Sequence, residues 1–197
     1  KDNKVTGVEY KKNGNLYIEN ANIGVVLSAG AIKTPQLMML SGIGPEKILK
    51  DNGIKIKIKN INVGSNLQDH IGIDYLYKSR IPTLNESLGS LSGRVRSIIQ
   101  YSLFRKGPLS LSLNQGGGFI RWKNKKNYPN LQIYFNPLTY SLSFKNKRPL
   151  LQTDKFSGFI IGFNSCRPKS TGHVAIKSNS INDDPIIDPN YLSNNED

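Results

Sequence analysis

Polar and apolar residues alternate along the first part of this chain, then stop alternating. Lys4–Tyr10 (KVTGVEY) alternates and is β-like, and Leu16–Asn22 (LYIENAN) is read as the return strand after the intervening KKNGN. A period of two is the pattern of a half-buried strand. The Asn13-Gly14 pair between the runs is what a two-residue hairpin turn with positive φ at both positions requires. In Gly24–Gly30 (GVVLSAG) the rhythm breaks: Val25, Val26 and Leu27 are consecutive, as in a strand covered on both faces, and the run ends in small residues. The spacing then predicts a short apolar helix over QLMML, with Thr34 as N-cap, Pro35 at its first position and Ser41-Gly42 as its stop. Gly44-Pro45 opens a second helix, PEKILKDN, which Gly53 ends. In the KIKIK run, Ile54, Ile56 and Ile58 fall on one face of a predicted strand and Lys55, Lys57 and Lys59 on the other. NVGSNLQDH, from Asn62 to His70, is predicted as a loop.

Beyond His70 the texture changes. Arg94–Leu109 (RVRSIIQYSLFRKGPL) is predicted helical, with Ile98, Ile99, Leu103 and Phe104 as its apolar stripe. A Ser-rich segment and three glycines lead into the strand of GGGFIRW. NLQIYFNPL, FSGFIIGFNSC and GHVAIKS are also strand-like. Helix and strand are segregated here, which predicts an antiparallel sheet with helices on one side. The expected architecture is therefore an α/β portion joined, near residues 70–75, to an α+β domain.

Composition narrows the function classes. The 197 residues suffice for one sizeable core. The single cysteine, Cys166, excludes an internal disulfide framework and a multi-cysteine zinc site, and no metal is expected. The longest nearly apolar run, IGVVLSAGAI, is too short and Gly-rich to span a bilayer, so no transmembrane segment is expected. No signal-peptide pattern opens the chain at Lys1-Asp2-Asn3-Lys4, and a cytoplasmic location is expected. The net charge of +13 raises nucleic acid as a partner. The bases are mostly lysines alternating with Ile or Asn, without interleaved aromatics, so they are read as a solvated face and no nucleic acid is expected.

Two Gly-containing turns bracket the apolar stretch of Ser28–Gly44 (SAGAIKTPQLMMLSGIG). Small residues after a buried strand are where α/β sheets receive ligands, because backbone amides can approach a phosphate or ribose there. Tight helix-on-strand packing accounts for the same residues equally well. Gly30–Gly44 (GAIKTPQLMMLSGIG) also resembles the second signature of the glucose–methanol–choline (GMC) flavoprotein oxidoreductases at every constrained position. NVGSNLQDH is similar to the family's Val-Gly-x-Asn-Leu-x-Asp-His segment. GGGFIRW, YPNLQIYFNPL and the run from Cys166 to Asp197 resemble its choline and alcohol dehydrogenase branch.

That resemblance implies FAD as cofactor, a small-molecule alcohol as substrate and hydride transfer to the flavin, with the electron acceptor undetermined. Residues 1–72 would belong to the FAD-binding domain and residues 73–197 to the substrate domain. The family's Gly-x-Gly-x-x-Gly turn and its catalytic His-containing segment have no counterpart here. The chain thus reads as an internal portion of a longer enzyme, inactive alone, with no catalytic residue of its own. By resemblance Ser28, Ala29 and Gly30 would lie along the cofactor's adenosine side, and Asn66 and Asp69 nearer the flavin. For Asn66 and Asp69, fixation of their own loop is the competing role. His70 is read as a loop-orienting residue rather than the base. Gln115 stands where choline-oxidising relatives carry a carboxylate, which favours a neutral alcohol over a cationic one. Asp188-Pro189-Asn190-Tyr191 is read as a turn that brings the chain back toward the first domain. The competing functions are a non-enzymatic basic binding module and a cofactor-free structural relative.

Overall fold

The computed structural model of the chain describes residues 4–123, 128–143 and 150–197. The opening Lys1–Asn3 lies outside the described residues. The elements run β1 (Gly7–Lys12), β2 (Asn15–Asn20), α1 (Gly30–Leu40), β3 (Ile43–Gly44), α2 (Glu46–Asp51), β4 (Ile58–Lys59), β5 (Ser65–Leu67) and β6 (Gly72–Lys78). Two helices follow, α3 (Leu84–Gly89) and α4 (Leu91–Phe104), then a 3-10 turn at Pro108–Ser110. The rest is strand: β7 (Gly116–Ile120), β8 (Leu131–Asn136), β9 (Tyr140–Ser143), β10 (Leu150–Thr153), β11 (Gly158–Ser165), β12 (Gly172–Ala175) and β13 (Ile186–Asp188).

Two compact units share these elements. One comprises Lys1–Asp69 with Lys169–Asp197, the other His70–Pro168. The second crossing differs from the sequence reading, which placed all of 73–197 in one domain. Residues 169–197 join the first unit because β12 pairs antiparallel with β5 and with β13.

In the first unit, β1 and β2 form the expected hairpin, with φ of 51° at Asn13 and 86° at Gly14. The GVVLSAG run is not a strand. It has no ladder partner among the described residues, and Val26 is 88 % exposed. An apolar run becomes a twice-covered strand only when neighbours pair with it. Helix α1 also differs from expectation. It starts at Gly30 and carries Pro35 inside. Pro35 costs one backbone bond there, the one its missing N–H would give to residue 31. The core gathers Met39 of α1, Leu49 of α2, Val63 and Ile176. Ile54 and Ile56 pack against it while Lys55 and Lys57 are exposed, as the alternation predicts. Only Ile58–Lys59 of that run joins a ladder, parallel to β3. Glu46 bridges Lys50 and Lys59 at 2.7 Å each, tying α2 to β4. These two ammonium partners hold its carboxyl down at about 2.

The second unit is built on an antiparallel sheet in the order β6-β11-β8-β7. Along β11, Gly158, Ile160 and Gly162 are buried while the residues between them are half-buried. The buried side holds a polar knot. Asn85 of α3 donates to the Thr139 carbonyl at 2.9 Å and accepts the Thr139 N–H at 3.0 Å. Asn85 is 3 % exposed and Thr139 0 %, so each satisfies groups the other would otherwise leave buried and unpaired. The predicted stripe of α4 does not pack inward. Ile98, Ile99, Leu103 and Phe104 are 55, 51, 69 and 66 % exposed, while Ser97 is the residue this helix buries.

Candidate functional site

A cleft of about 380 Å³ opens in the first unit between α1 and the segment at residues 60–68. Ala31, Thr34 and Met38 line one side, and Asn62, Asn66 and Gln68 the other. The segment is held in place by backbone conformation. Gly64 has φ of 82°, and a Cβ on it would overlap the Val174 carbonyl and the Met39 side chain. Its own carbonyl accepts the Val174 N–H at 2.7 Å. Asn66 follows at φ 60°, a left-handed conformation that Asn tolerates. Asn60 accepts the Asn62 N–H at 3.0 Å, and the Ser65 hydroxyl donates to the Ile61 carbonyl at 2.8 Å. The expected loop therefore contains a short strand, β5, whose partner lies more than a hundred residues later.

The cleft's lining carries amides, hydroxyls and apolar groups but no charged side chain. At its edge α1 begins without a side-chain cap and without an acidic residue in its first turn. The first N–H groups of that helix have no partner within it. Aligned peptide dipoles make such an end attractive to an electronegative group. Gly30, at φ 81°, is where the chain swings into the helix, and nothing lies within 4 Å of a Cβ placed on it.

The predicted site residues separate into three groups. Asn66 lines the cleft, and Ser28, Ala29 and Gly30 run directly into its first lining residue, Ala31. Asp69 accepts a hydrogen bond from the Tyr191 hydroxyl at 2.5 Å, and that bond raises the tyrosine's pKa. Gln115 is exposed in the second unit, its N–H donating to the Phe135 carbonyl at 3.0 Å at the start of β7. The sequence marked Thr34 only as a helix cap and did not mark Asn62 or Gln68 at all. The two amides stand in the same NVGSNLQDH run, which alone does not tell which of its side chains share a wall.

The histidines are engaged structurally. The His70 Nδ1–H donates to the Ser165 carbonyl at 2.6 Å, which fixes the tautomer. His173 lies 3.9 Å from Asp188. Asp188 also accepts the Asn190 N–H at 2.9 Å, and the Asn190 amide donates to the Thr171 carbonyl at 3.1 Å, as the turn reading expects. The second unit's sheet carries aromatic pairs on its outward side, Tyr75 on Phe163 and Tyr77 on Phe159, with centroids 5.5 and 5.2 Å apart. On the other side, Tyr134 donates to Asp74 at 2.6 Å across Gly162, and that bond pushes its phenol up to about 12.

Residues 1–72 match the family model described as GMC oxidoreductase. The chain is 36 % identical over 200 residues to an alcohol dehydrogenase [acceptor] of Pseudomonas putida. It is 34 % identical over 194 residues to an oxygen-dependent choline dehydrogenase of Staphylococcus aureus. These alignments take in 100 and 98 % of this chain but only 35 and 33 % of the relatives, so the chain spans about a third of their length. Among solved structures, formate oxidase superposes with a TM-score of 0.84 at 24 % identity, over 98 % of this chain and 38 % of that one. Pyridoxine 4-oxidase from Mesorbium loti superposes with a TM-score of 0.72 at 25 % identity, over 99 % of this chain and 33 % of that one. Family signature, relatives and fold agree, and the chain belongs to the GMC oxidoreductase family.

Proposed function

We propose that this chain is part of an FAD-dependent oxidoreductase that oxidises the CH–OH group of a small neutral alcohol. The observation that carries this reading is the neutral, amide-lined cleft beside the uncapped start of α1, in a chain with alcohol and choline dehydrogenases as relatives. Its lining fits a cofactor of this kind: apolar walls suit a ring system, and amides suit a heterocycle edge or ribose. The open N–H groups of α1 suit an electronegative group. When bound, FAD would supply the acceptor for a hydride from the alcohol carbon.

This chain's own residues position and enclose. Ser28 and Ala29 present backbone to the cofactor, Gly30 keeps the approach to α1 free of a side chain, and Asn66 offers its amide from the facing wall. Asp69 acts through Tyr191, fixing the segment that carries Asn66. No side chain of this chain is assigned as the base, and His70 orients its segment through Ser165. In the second unit, the aromatic side of the sheet supplies an apolar wall that keeps water from the alcohol. Gln115 meets the substrate as a neutral hydrogen-bonding group.

The test is flavin content of the whole protein. Wild type should purify yellow, and Asn66→Asp, which puts a charge on the cleft's neutral lining at a φ that Asp tolerates, should lose most of its flavin while keeping its circular dichroism spectrum. A folded wild-type protein without flavin absorbance would refute the reading. For the substrate, Gln115→Glu should favour a choline-like alcohol over an isosteric neutral one. A charge-assisted contact of about 1.5–3 kcal/mol gives roughly a ten- to hundredfold change in the ratio of kcat/KM values. An unchanged ratio would place Gln115 away from the substrate.

A further inference from the structure

The Asn-Gly pair occurs twice in the sequence, at Asn13-Gly14 and at Asn52-Gly53. The fold places the two in opposite surroundings. Asn is a thermolabile residue, and before glycine its weakness has a definite chemistry. The main-chain nitrogen of the glycine gives up its proton and attacks the side-chain carbonyl carbon of the Asn. A new C–N bond closes a five-membered succinimide, the bond to the side-chain nitrogen breaks, and ammonia leaves. Water then opens the ring at either carbonyl, giving aspartate or isoaspartate. Glycine favours the attack because no Cβ crowds its nitrogen and its backbone turns freely. What the fold decides is whether the attacking nitrogen and the departing amide are available.

At Asn52 both are held. This residue is the half-buried C-cap of α2. Its side-chain amide donates to the Ile48 carbonyl at 2.9 Å, and the Gly53 N–H donates to the Lys50 carbonyl at 3.0 Å. At Asn13 neither is held. Asn13 and Gly14 form the turn between Lys12 and Asn15, the pair that closes the β1–β2 ladder. Neither the Gly14 N–H nor the Asn13 side-chain amide makes a hydrogen bond among the described residues. Asn13 is exposed, and KKNGN carries no apolar side chain for a neighbour to cover. The two strands form a sheet of their own. A lone hairpin is marginal, so its tip opens at little cost. Asn13 also starts from φ of 51°, a left-handed conformation that is uncommon outside glycine, and leaving it costs little.

The product alters the turn. Isoaspartate routes the main chain through the side-chain carbon and lengthens a two-residue turn by one atom. It also puts a carboxylate beside Lys11 and Lys12. Turn length fixes the register of a hairpin, so the lengthened turn no longer suits the pairing that Lys12 and Asn15 begin.

We propose that Asn13 is a site of spontaneous deamidation, selected over Asn52 by the fold, and that isoaspartate formed there loosens the β1–β2 hairpin. This does not depend on the cofactor reading above, and the test reads no activity. The whole protein is kept folded in mildly alkaline buffer, its peptides are mapped by mass spectrometry, and isoaspartate is counted by enzymatic methyl labelling. The two hydrogen bonds that must open at Asn52 should make it roughly five- to a hundredfold slower than Asn13. In guanidinium chloride the two rates should become nearly equal, since the dipeptide is the same and no fold contact survives. A ratio near one in the folded protein would overturn the selection, and so would an Asn13 that converts only when the chain is unfolded. For the consequence, aged protein enriched in isoaspartate should lose amide-exchange protection across β1 and β2. Freshly purified Asn13→Asp, with the same charge change but an unlengthened turn that Asp-Gly also suits, should keep it. Equal protection in aged protein and variant would overturn the effect on the hairpin.

Discussion

Gly162 shows how much one missing side chain decides. It sits on β11 directly between Asp74 of β6 and Tyr134 of β8 in the ladder. A Cβ there would overlap the Tyr134 ring and the Asp74 carboxylate. The absence of a side chain lets the tyrosine lie across the strand and reach the aspartate. Gly162→Ala should therefore cost about 1–3 kcal/mol, as overpacking does, measured from the urea midpoint. Tyr134→Phe should cost less, about 0.5–1.5 kcal/mol, because this hydrogen bond is exposed to water. The pH dependence has a definite sign. The phenol is the donor, and its bond to Asp74 raises it from the ordinary 10.0 to about 12. Its contribution to stability is full below pH 10 and is lost as the pH rises through about 12. Tyrosinate absorbance should show a late-titrating fraction, to which Tyr140 and Tyr191 also contribute, that is smaller by one tyrosine in Tyr134→Phe. A wild-type titration identical to that of the variant would remove the bond from the account.

At the scale of elements, α3 depends on its cap more than a six-residue helix in isolation would. Thr83 accepts the Asn85 N–H, Glu86 reaches back to the Thr83 N–H at 2.7 Å, and the same Thr83 hydroxyl accepts the Gly158 N–H at 3.1 Å. The cap thus joins helix to sheet. Thr83→Ala should destabilise the protein by about 1–2 kcal/mol and Thr83→Ser by much less, read from denaturant midpoints; equal losses would mean that the methyl group rather than the hydroxyl matters. The Thr-x-x-Glu spacing was present in the sequence, yet α3 was missed because no apolar periodicity marks LNESLG. Signals that act within a few residues were readable, as Asn13-Gly14 for the hairpin and the Ile–Lys alternation at 54–57 show. Pro35 misled because proline is best suited to the first position of a helix, whereas α1 has already begun at Gly30 and carries Pro35 in its second turn at the cost of a backbone bond. The inward face of α4 was misjudged because its burial is set by Gly93 and Ser97, which allow close packing, and not by its aliphatic side. At the cleft, the small residues at 28–30 and the amide at 66 stood out in the sequence, and Asn66 lines its wall. That Asn62, Gln68 and Thr34 share its walls follows only from the pairing of β5 with β12. The Asp69–Tyr191 bond spans 122 positions, and nothing local announces it.

For the molecule as a whole, the first unit is completed by a segment that arrives last in sequence. Residues 169–197 contribute Ile176 to its core, β12 to its sheet, and the Asp183 carbonyl that accepts from buried Gln36 at 2.8 Å. Asp197 fastens the start of this return. Its carboxylate accepts the N–H groups of Lys169 and Ser170 at 2.6 and 2.7 Å, and the Ser170 hydroxyl accepts the Asn194 N–H at 3.1 Å. The Ser170 side chain foremost, then the Lys169 N–H and the Ser170 N–H, hold the Asp197 pKa below its ordinary 3.8. A carboxylate whose folded-state pKa is depressed contributes stability above its unfolded pKa and loses it as the pH falls through the folded one. Acid should therefore loosen the junction before it unfolds the sheet of the second unit. Amide exchange, corrected for intrinsic rates, should show protection at Lys169 and Ser170 falling as the pH drops through and below the ordinary carboxylate range. β8 and β11 should stay protected over the same interval. Asp197→Asn should lower the protection of the two amides and flatten its pH dependence, because the neutral amide keeps an acceptor but no charge. The same acid-dependent loss in wild type and variant would assign the effect to another carboxylate, and simultaneous loss across both units would mean that they unfold as one.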